Sequence, residues 1–259
     1  MILLSGIIGC PSQAAAEEAS PGQTAARPAR HRRAWILTLK KGAEKVMVIQ
    51  LNSQVIWYEK SGEGDPVILL HGNQESHEIF DELAARLSER FTVYAPDSRG
   101  HGKSATPAEI HYEDMADDVI RFVEALEIQK PVLCGFSDGG IVALLAAIRC
   151  SRLFSRLIIC GANLSPKGLK GSVLREIRRS WKKNHNPLDE LMLTEPDISE
   201  WNLARISIPV LVLAGERDMV KPKETKRIAF AIPNATLQIL PGEDHGSYVI
   251  HSDKLAEFF

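Results

Sequence analysis

A serine between two glycines is the first feature of the sequence that could support chemistry. The segment GFSDG at residues 135–139 matches G-x-S-x-G, a pattern that presents a serine as a nucleophile. It follows an apolar run at 131–135 and opens an apolar segment at 137–149, which indicates a strand–turn–helix junction. Glycines at both ends keep side chains out of such a tight turn. Because the chain lacks the pattern G-x-x-x-x-G-K-[ST] of a phosphate-binding loop, we predict that Ser137 is a nucleophile.

A serine nucleophile needs a general base, and the base needs a carboxylate that orients it. Asp218 lies just beyond the apolar run 210–214, and His245 lies just beyond the run 236–240. If these runs are parallel strands, their carboxyl ends place both side chains at the edge of the sheet where Ser137 is expected. We therefore predict that His245 is the base and that Asp218 orients it.

The elements that must position these three residues alternate along the chain from residue 46. Apolar runs predict strands at 46–51, 54–59, 66–70, 91–95, 131–135, 157–160, 210–214 and 236–240. Apolar residues at helical spacing predict helices at 76–90, 112–126, 137–149, 223–231 and 252–259. Strands that alternate with helices in this way predict an α/β fold with a doubly wound, mostly parallel sheet.

Five segments in chain order make the sequence similar to the α/β-hydrolase superfamily from about residue 46 to residue 259. They are LLHGN (69–73), PDSRGHGKS (96–104), GFSDGG (135–140), LAGERD (213–218) and GEDHG (242–246). The order serine, aspartate, histidine along the chain is also the order found in this superfamily. The resemblance implies a catalytic triad of Ser137, His245 and Asp218 that acts by acyl transfer.

The resemblance also implies an oxyanion hole made of backbone N–H groups. One belongs to Asp138, the residue after the nucleophile, and the other belongs to Asn73, in the turn after the expected strand 66–70. Gly72 is expected to let the backbone approach the substrate. The elbow is further similar to that of valacyclovirase-type hydrolases, which implies that the Asp138 carboxylate attracts the amino group of an amino-acid ester.

Between residues 162 and 207 the chain leaves the alternating pattern, and the resemblance implies a small helical cap over the site. Residues 172–183 predict one cap helix, and residues 188–193 predict a second. Trp181, on the apolar face of the first helix, is expected to contact a substrate of modest size. The basic residues of this helix are interpreted as a solvated face, with membrane or anionic-ligand contact as the alternative.

Charge and cysteine content exclude several classes of partner. The chain has 31 Lys and Arg against 33 Asp and Glu, a net charge of −2, so nucleic acid is not expected. Its 4 cysteines are too few and too scattered for a disulfide framework or a zinc cluster. No apolar run reaches the roughly 20 residues of a membrane-spanning helix, so stable membrane insertion is not expected. We predict an enzyme with no metal or cofactor that acts on a small-molecule ester.

Residues 1–45 differ in composition from the rest of the chain. Residues 11–33 are rich in Ala, Ser, Pro and Gly and are predicted to be disordered. We interpret 1–45 as a leader or an upstream segment outside the functional domain 46–259. The end of the initial apolar stretch resembles a bacterial lipoprotein cleavage box, but no Lys or Arg precedes it. A cytoplasmic location is expected, with an exported lipoprotein anchored through Cys10 as the alternative.

These features together predict a serine hydrolase that cleaves a small carboxylic ester through an acyl-enzyme. A lyase, a C–C hydrolase or a cofactor-free peroxidase could use the same triad. A binding protein without catalytic activity is a further alternative.

Overall fold

The computed structural model describes residues 35–41 and 44–259, with side chains described from residue 47 onward. The strands are β1 (Trp35–Lys41), β2 (Glu44–Leu51), β3 (Gln54–Ser61), β4 (Asp65–Leu70), β5 (Phe91–Pro96), β6 (Val132–Phe136), β7 (Arg156–Cys160), β8 (Val210–Gly215) and β9 (Ala235–Leu240). The α-helices of this part of the chain are α1 (Asp81–Leu87), α2 (Tyr112–Ala125), α3 (Asp138–Cys150), α4 (Gly171–Asn184), α5 (Pro187–Thr194), α6 (Glu200–Leu203) and α7 (Pro222–Ala231).

The strands of the described residues form one sheet in the order β1-β2-β3-β5-β4-β6-β7-β8-β9. The pairs β1–β2, β2–β3 and β3–β5 are antiparallel, and every pair from β5 to β9 is parallel. The predicted α/β fold with a mostly parallel sheet is therefore confirmed. The chain order reverses beside β4, since β5 lies on one side of it and β6 on the other. At such a point the carboxyl ends of the strands leave a crevice for a ligand.

Helices cover both faces of the sheet, which explains why β4 is apolar at consecutive positions. Ile68 and Leu70 belong to one buried cluster with residues of α2, α3 and α7. Val67 and Leu69 belong to a second cluster with residues of α1 and of the segment after β9. Because successive side chains of a strand point to opposite faces, a strand covered on both sides must be apolar throughout.

The sheet begins earlier in the chain than the boundary expected at residue 46. β1 pairs with β2 from Trp35 opposite Gln50 to Lys41 opposite Glu44, so it extends the same sheet. The composition of 1–45 as a whole obscured this strand, although its first residues, WILTL, are apolar and β-forming. The segment expected to be disordered, 11–33, and Cys10 both lie outside the described residues.

Two predicted helices differ from the observed elements. The segment 76–90 begins as a 3₁₀ helix at His77–Phe80, capped by Ser76, and continues as α1. The segment 252–259 is a 3₁₀ helix over Lys254–Phe258. The predicted small cap is present between β7 and β8, where α4 and α5 match the two expected helices. Of the helices in the described residues, none combines the length and apolar character needed to cross a membrane.

Candidate active site

Ser137 lies in a sharp turn between β6 and α3, with backbone angles φ 53° and ψ −117°. A positive φ is strained for a residue with a side chain, and such strain is concentrated at functional sites. A Cβ at Gly135 would lie 2.2 Å from the carbonyl oxygen of Gly139, and one at Gly139 would lie 2.1 Å from that of Leu70. The amide of Ser137 donates to the carbonyl of Cys160 at 2.7 Å. Packing around the turn therefore maintains its strained geometry.

A chain of hydrogen bonds joins the three residues predicted as the triad. The Nε2 atom of His245 lies 3.0 Å from the Oγ of Ser137, and its Nδ1 atom lies 2.7 Å from the Oδ1 of Asp218. Asp218 is only 4% exposed, and its Oδ1 also accepts the amide N–H of Val220 at 2.8 Å. Since an ionised carboxylate only accepts, the imidazole proton belongs on Nδ1, which leaves Nε2 free to accept the Ser137 proton.

Gly161, at the end of β7, is a residue of this site that sequence reasoning did not assign. Its φ is +62°, and a Cβ there would lie 2.8 Å from the Cε1 of His245 and 3.3 Å from the Oδ2 of Asp218. A larger residue would displace the imidazole from the carboxylate. The position of this glycine directly after an apolar strand was the available signal.

Two backbone N–H groups near Ser137 are free to act as an oxyanion hole. The amides of Asn73 and Asp138 make no hydrogen bond within the described part of the chain. Asp138 opens α3, so its N–H lies at the positive end of the helix dipole. A Cβ at Gly72 would lie 3.1 Å from the Cβ of Ser137 and 2.6 Å from the Oε2 of Glu75, which explains the absence of a side chain at this position.

The side chain of Asp138, which is predicted to contact the substrate, is buried and hydrogen-bonded to the protein. It is only 4% exposed, and its Oδ2 accepts a hydrogen bond from the Nδ2 of Asn73 at 2.8 Å. Burial raises the pKa of this carboxyl, although hydrogen bonds from Asn73 and Tyr112 act in the opposite direction. The carboxylate is therefore engaged by groups of the protein itself.

A cavity of about 650 Å³ contains the Ser137 and His245 side chains. Its apolar lining comes from Phe136, Val173, Ile177, Met192, Met219 and Ile250, and its charged lining from Glu75, Glu176 and Asp244. No Lys or Arg lines this cavity in the described structure. Asn73 also lines it, whereas Asp138 and Trp181 do not.

Trp181 lies outside this cavity lining, and its role as a substrate contact stays a prediction. The cap helix α4 presents Val173, Glu176 and Ile177 to the cavity, and Trp181 lies one turn beyond Ile177, about 6 Å along the axis. There the half-buried indole packs edge-to-face against His185 with ring centroids 5.7 Å apart. Helical periodicity identified the face of α4 that borders the cavity. How far the cavity extends along this helix depends on tertiary packing.

His71, next to the oxyanion turn, has a structural environment. The ring is buried, its Nδ1 donates to the carbonyl of Gly72 at 2.8 Å, and its Nε2 accepts the amide N–H of Ser98 at 3.0 Å. Burial, together with the neighbouring His101, lowers the pKa of His71 to about 4. His71 is therefore a neutral ring that connects the turn after β4 to the turn after β5.

Comparisons with known proteins agree with this fold. A family model of the alpha/beta hydrolase fold matches residues 65–185. The serine hydrolase BPHL of Homo sapiens is 28% identical over 246 residues, which cover 82% of this chain and 84% of that protein.

Solved structures show the same fold. The esterase of Exiguobacterium antarcticum superposes with a TM-score of 0.70 at 21% identity, over 80% of this chain and 94% of that chain. A meta-cleavage product hydrolase from Pseudomonas fluorescens IP01 superposes with a TM-score of 0.66 at 20% identity, over 79% and 91%. The segment that the family model matches runs from β4 to α4 and includes the serine turn. With its mostly parallel sheet, its strained serine turn and these similarities, the chain has the α/β-hydrolase fold.

Proposed function

We propose that this protein is a serine hydrolase that cleaves a small carboxylic ester through an acyl-enzyme on Ser137. The observation that carries the proposal is the hydrogen-bonded series from Ser137 Oγ through His245 to the buried Asp218, which opens into a cavity. A nucleophile, a base and an orienting carboxylate within hydrogen-bond reach of one another are the arrangement that acyl transfer requires.

In this mechanism His245 takes the hydroxyl proton while the Ser137 oxygen attacks the ester carbonyl carbon. Asp218 keeps the other imidazole proton on Nδ1 and stabilises the imidazolium that forms. The carbonyl oxygen becomes an anion and accepts the N–H groups of Asn73 and Asp138. When the C–O bond breaks, His245 protonates the leaving alcohol. Water then attacks the acyl-enzyme by the same route and releases the carboxylic acid.

The lining of the cavity suggests which esters fit. Three carboxylates and no Lys or Arg favour a neutral or cationic substrate over an anionic one. Glu75 is the half-buried member of this set, and burial raises the pKa of its carboxyl. We therefore place the preference for positive charge in the cavity lining rather than at Asp138.

Matched esters test this preference. The p-nitrophenyl esters of valine, of 3-methylbutyric acid and of succinic acid supply a cationic, a neutral and an anionic acyl group. The first two differ only in the amino group. We expect hydrolysis of the succinate ester to be the slowest, and a preference for it would contradict the proposed specificity.

The proposed activity is tested with a fluorophosphonate probe, followed by intact-mass analysis. We expect a single covalent adduct on the wild-type protein and none on Ser137→Ala. Labelling that persists in the variant would assign the nucleophile to another residue. Product analysis of a turned-over ester then separates hydrolysis from lyase, C–C cleavage or peroxidase chemistry, which could use the same three residues.

A further inference from the structure

The turn after β4, residues 71–75, is here called the oxyanion loop, and two carboxylates from different parts of the fold bind its side chains. The Nδ2 of Asn73 donates to the Oδ2 of Asp138 at 2.8 Å, and the Nε2 of Gln74 donates to the Oδ1 of Asp189 at 2.9 Å. Asp138 belongs to α3 in the main domain, whereas Asp189 belongs to α5 in the cap. Consecutive carboxamides of one loop are thus held from two sides.

Both carboxylates are buried without a cationic partner in the described residues. Asp138 is 4% exposed and Asp189 is 3% exposed, and neither forms a salt bridge there. The second oxygen of Asp189, Oδ2, is buried with no hydrogen-bond partner in this part of the chain. Removing a carboxylate from water is costly unless hydrogen bonds replace the water, so the contacts to Asn73 and Gln74 matter for both groups.

The loop that they hold has a conformation that needs support. Gln74 adopts a φ of 58°, a strained value for a residue with a side chain. The amide of Asn73 has no partner in the described structure, so it does not stabilise the turn. The amide of Gly72 donates to the Oε2 of Glu75 at 2.8 Å within the loop, whereas the carboxamide contacts hold Asn73 itself.

Asp138 has a special place in this arrangement. Its own backbone N–H is one proposed donor of the oxyanion hole, and its carboxylate binds the residue that supplies the other donor. One residue thus sets the relative position of both donors. We propose that Asp138 and Asp189 are positioning residues, which hold the oxyanion loop in the geometry that stabilises the transition state of the reaction proposed above.

The contacts on the cap side connect the position of α5 to the same loop. The carbonyl of Leu188 accepts from the Nδ2 of Asn73 at 3.2 Å, and the Nδ2 of Asn186 donates to the Oε1 of Gln74 at 3.0 Å. Asn186 is the N-cap of α5. A displacement of this end of the cap would therefore release the oxyanion loop.

The proposal needs an acceptor at position 138 and not a negative charge. Asp138→Asn keeps an oxygen that can accept from Asn73, whereas Asp138→Ala removes it. With the neutral substrate p-nitrophenyl butyrate we expect Asp138→Ala to lower kcat/KM by about 10²-fold, because it misplaces an oxyanion-hole donor. Asp138→Asn should stay within about tenfold of wild type. Equal losses in the two variants would overturn the proposal, since they would show a need for charge.

Binding of butylboronic acid separates positioning from a general structural defect. The boronate forms a tetrahedral adduct with the serine and places an oxygen in the oxyanion hole. We expect its inhibition constant to rise about as much as kcat/KM falls, with KM nearly unchanged. Wild-type boronate affinity in Asp138→Ala, or a loss confined to KM, would overturn the proposal.

Further variants keep the test informative if Asp138→Ala does not fold. Asn73→Ala removes the other partner of this hydrogen bond and should lower kcat/KM by the same factor. The double variant of Asn73→Ala and Asp138→Ala should lose no more than either single variant. Asp189→Ala should lower kcat/KM about tenfold, and its control is Glu190→Ala, an exposed carboxylate on the same helix. Additive losses, or equal effects at 189 and 190, would contradict the proposal. Fluorophosphonate labelling of the wild type is measured first. No labelling would contradict the proposed function, whereas labelling with unchanged variant kinetics would contradict only the positioning role.

Discussion

Two buried aspartates of the candidate site differ in what they bind. Asp218 and Asp138 are both 4% exposed. Asp218 accepts from the imidazole of His245, which becomes a cation during the proposed reaction. Asp138 accepts from the carboxamide of Asn73, which stays neutral. In the proposed mechanism the same side chain at the same burial therefore serves two purposes: charge compensation on the triad side and orientation on the oxyanion side.

The two sides also differ in how they are built. On the triad side, Asp218 and His245 follow the ends of neighbouring parallel strands, β8 and β9, and the strands of the sheet set their spacing. On the oxyanion side, one loop is held between α3 and the cap by side-chain hydrogen bonds. We expect the triad side to depend on charge and exact packing, and the oxyanion side to tolerate changes that keep hydrogen bonding.

The largest expected effect tests which of the two carboxylates needs its negative charge. Asp218→Asn should lower kcat about 10⁴-fold, because a carboxamide favours the wrong imidazole tautomer and does not stabilise the imidazolium. The same isosteric change at Asp138 should cost about tenfold or less. Steady-state kinetics with p-nitrophenyl butyrate measure both, and Asp253→Asn, an exposed aspartate, is the control. Equal losses at 218 and 138 would remove the distinction.

An intermediate effect tests the packing of the triad side. Gly161→Ala places a methyl group 2.8 Å from the Cε1 of His245, so the ring must move, and we expect kcat to fall about 10²-fold. Gly242→Ala is a matched control: its φ of +74° is similar, but its Cβ would meet nothing within 4 Å. The two variants share the backbone strain and differ only in the clash. If both lose activity equally, strain and not the position of the imidazole is responsible.

The smallest expected effect concerns stability on the oxyanion side. The pKa of His71 is lowered from 6.5 to about 4. Between these values the unfolded chain binds a proton that the folded protein excludes, so the free energy of unfolding falls as the pH is lowered. The slope from this residue is at most about 1.4 kcal/mol per pH unit.

His71→Gln removes this titration and retains a donor and an acceptor. We expect the variant to be less stable at pH 7 and to lose stability less steeply between pH 6.5 and pH 4. Urea unfolding across this range measures both quantities. A slope equal to that of the wild type would show that His71 is not a buried neutral ring.

The residues that sequence reasoning identified best are those attached to strand ends. Ser137, Asp218 and His245 were predicted because each follows an apolar run, and the structure brings them within hydrogen-bond distance. Strand ends are predictable because backbone hydrogen bonding places the carboxyl ends of parallel strands side by side. The surroundings of Trp181 and of the Asp138 carboxylate could not be predicted in this way, because they come from distant segments, and the substrate contacts of both stay predictions.

The sequence by itself determined the alternation of elements, the strained serine turn and the order of the three residues around it. These follow from local patterns: apolar periodicity, and glycines where a side chain would collide with the backbone. Only the tertiary structure decided that Asp138 binds Asn73, that Asp189 reaches Gln74 from the cap, and which turn of α4 borders the cavity. Asp189 and Gln74 are 115 residues apart in the chain. No local pattern encodes such a contact, because it exists only after the cap has packed over the sheet.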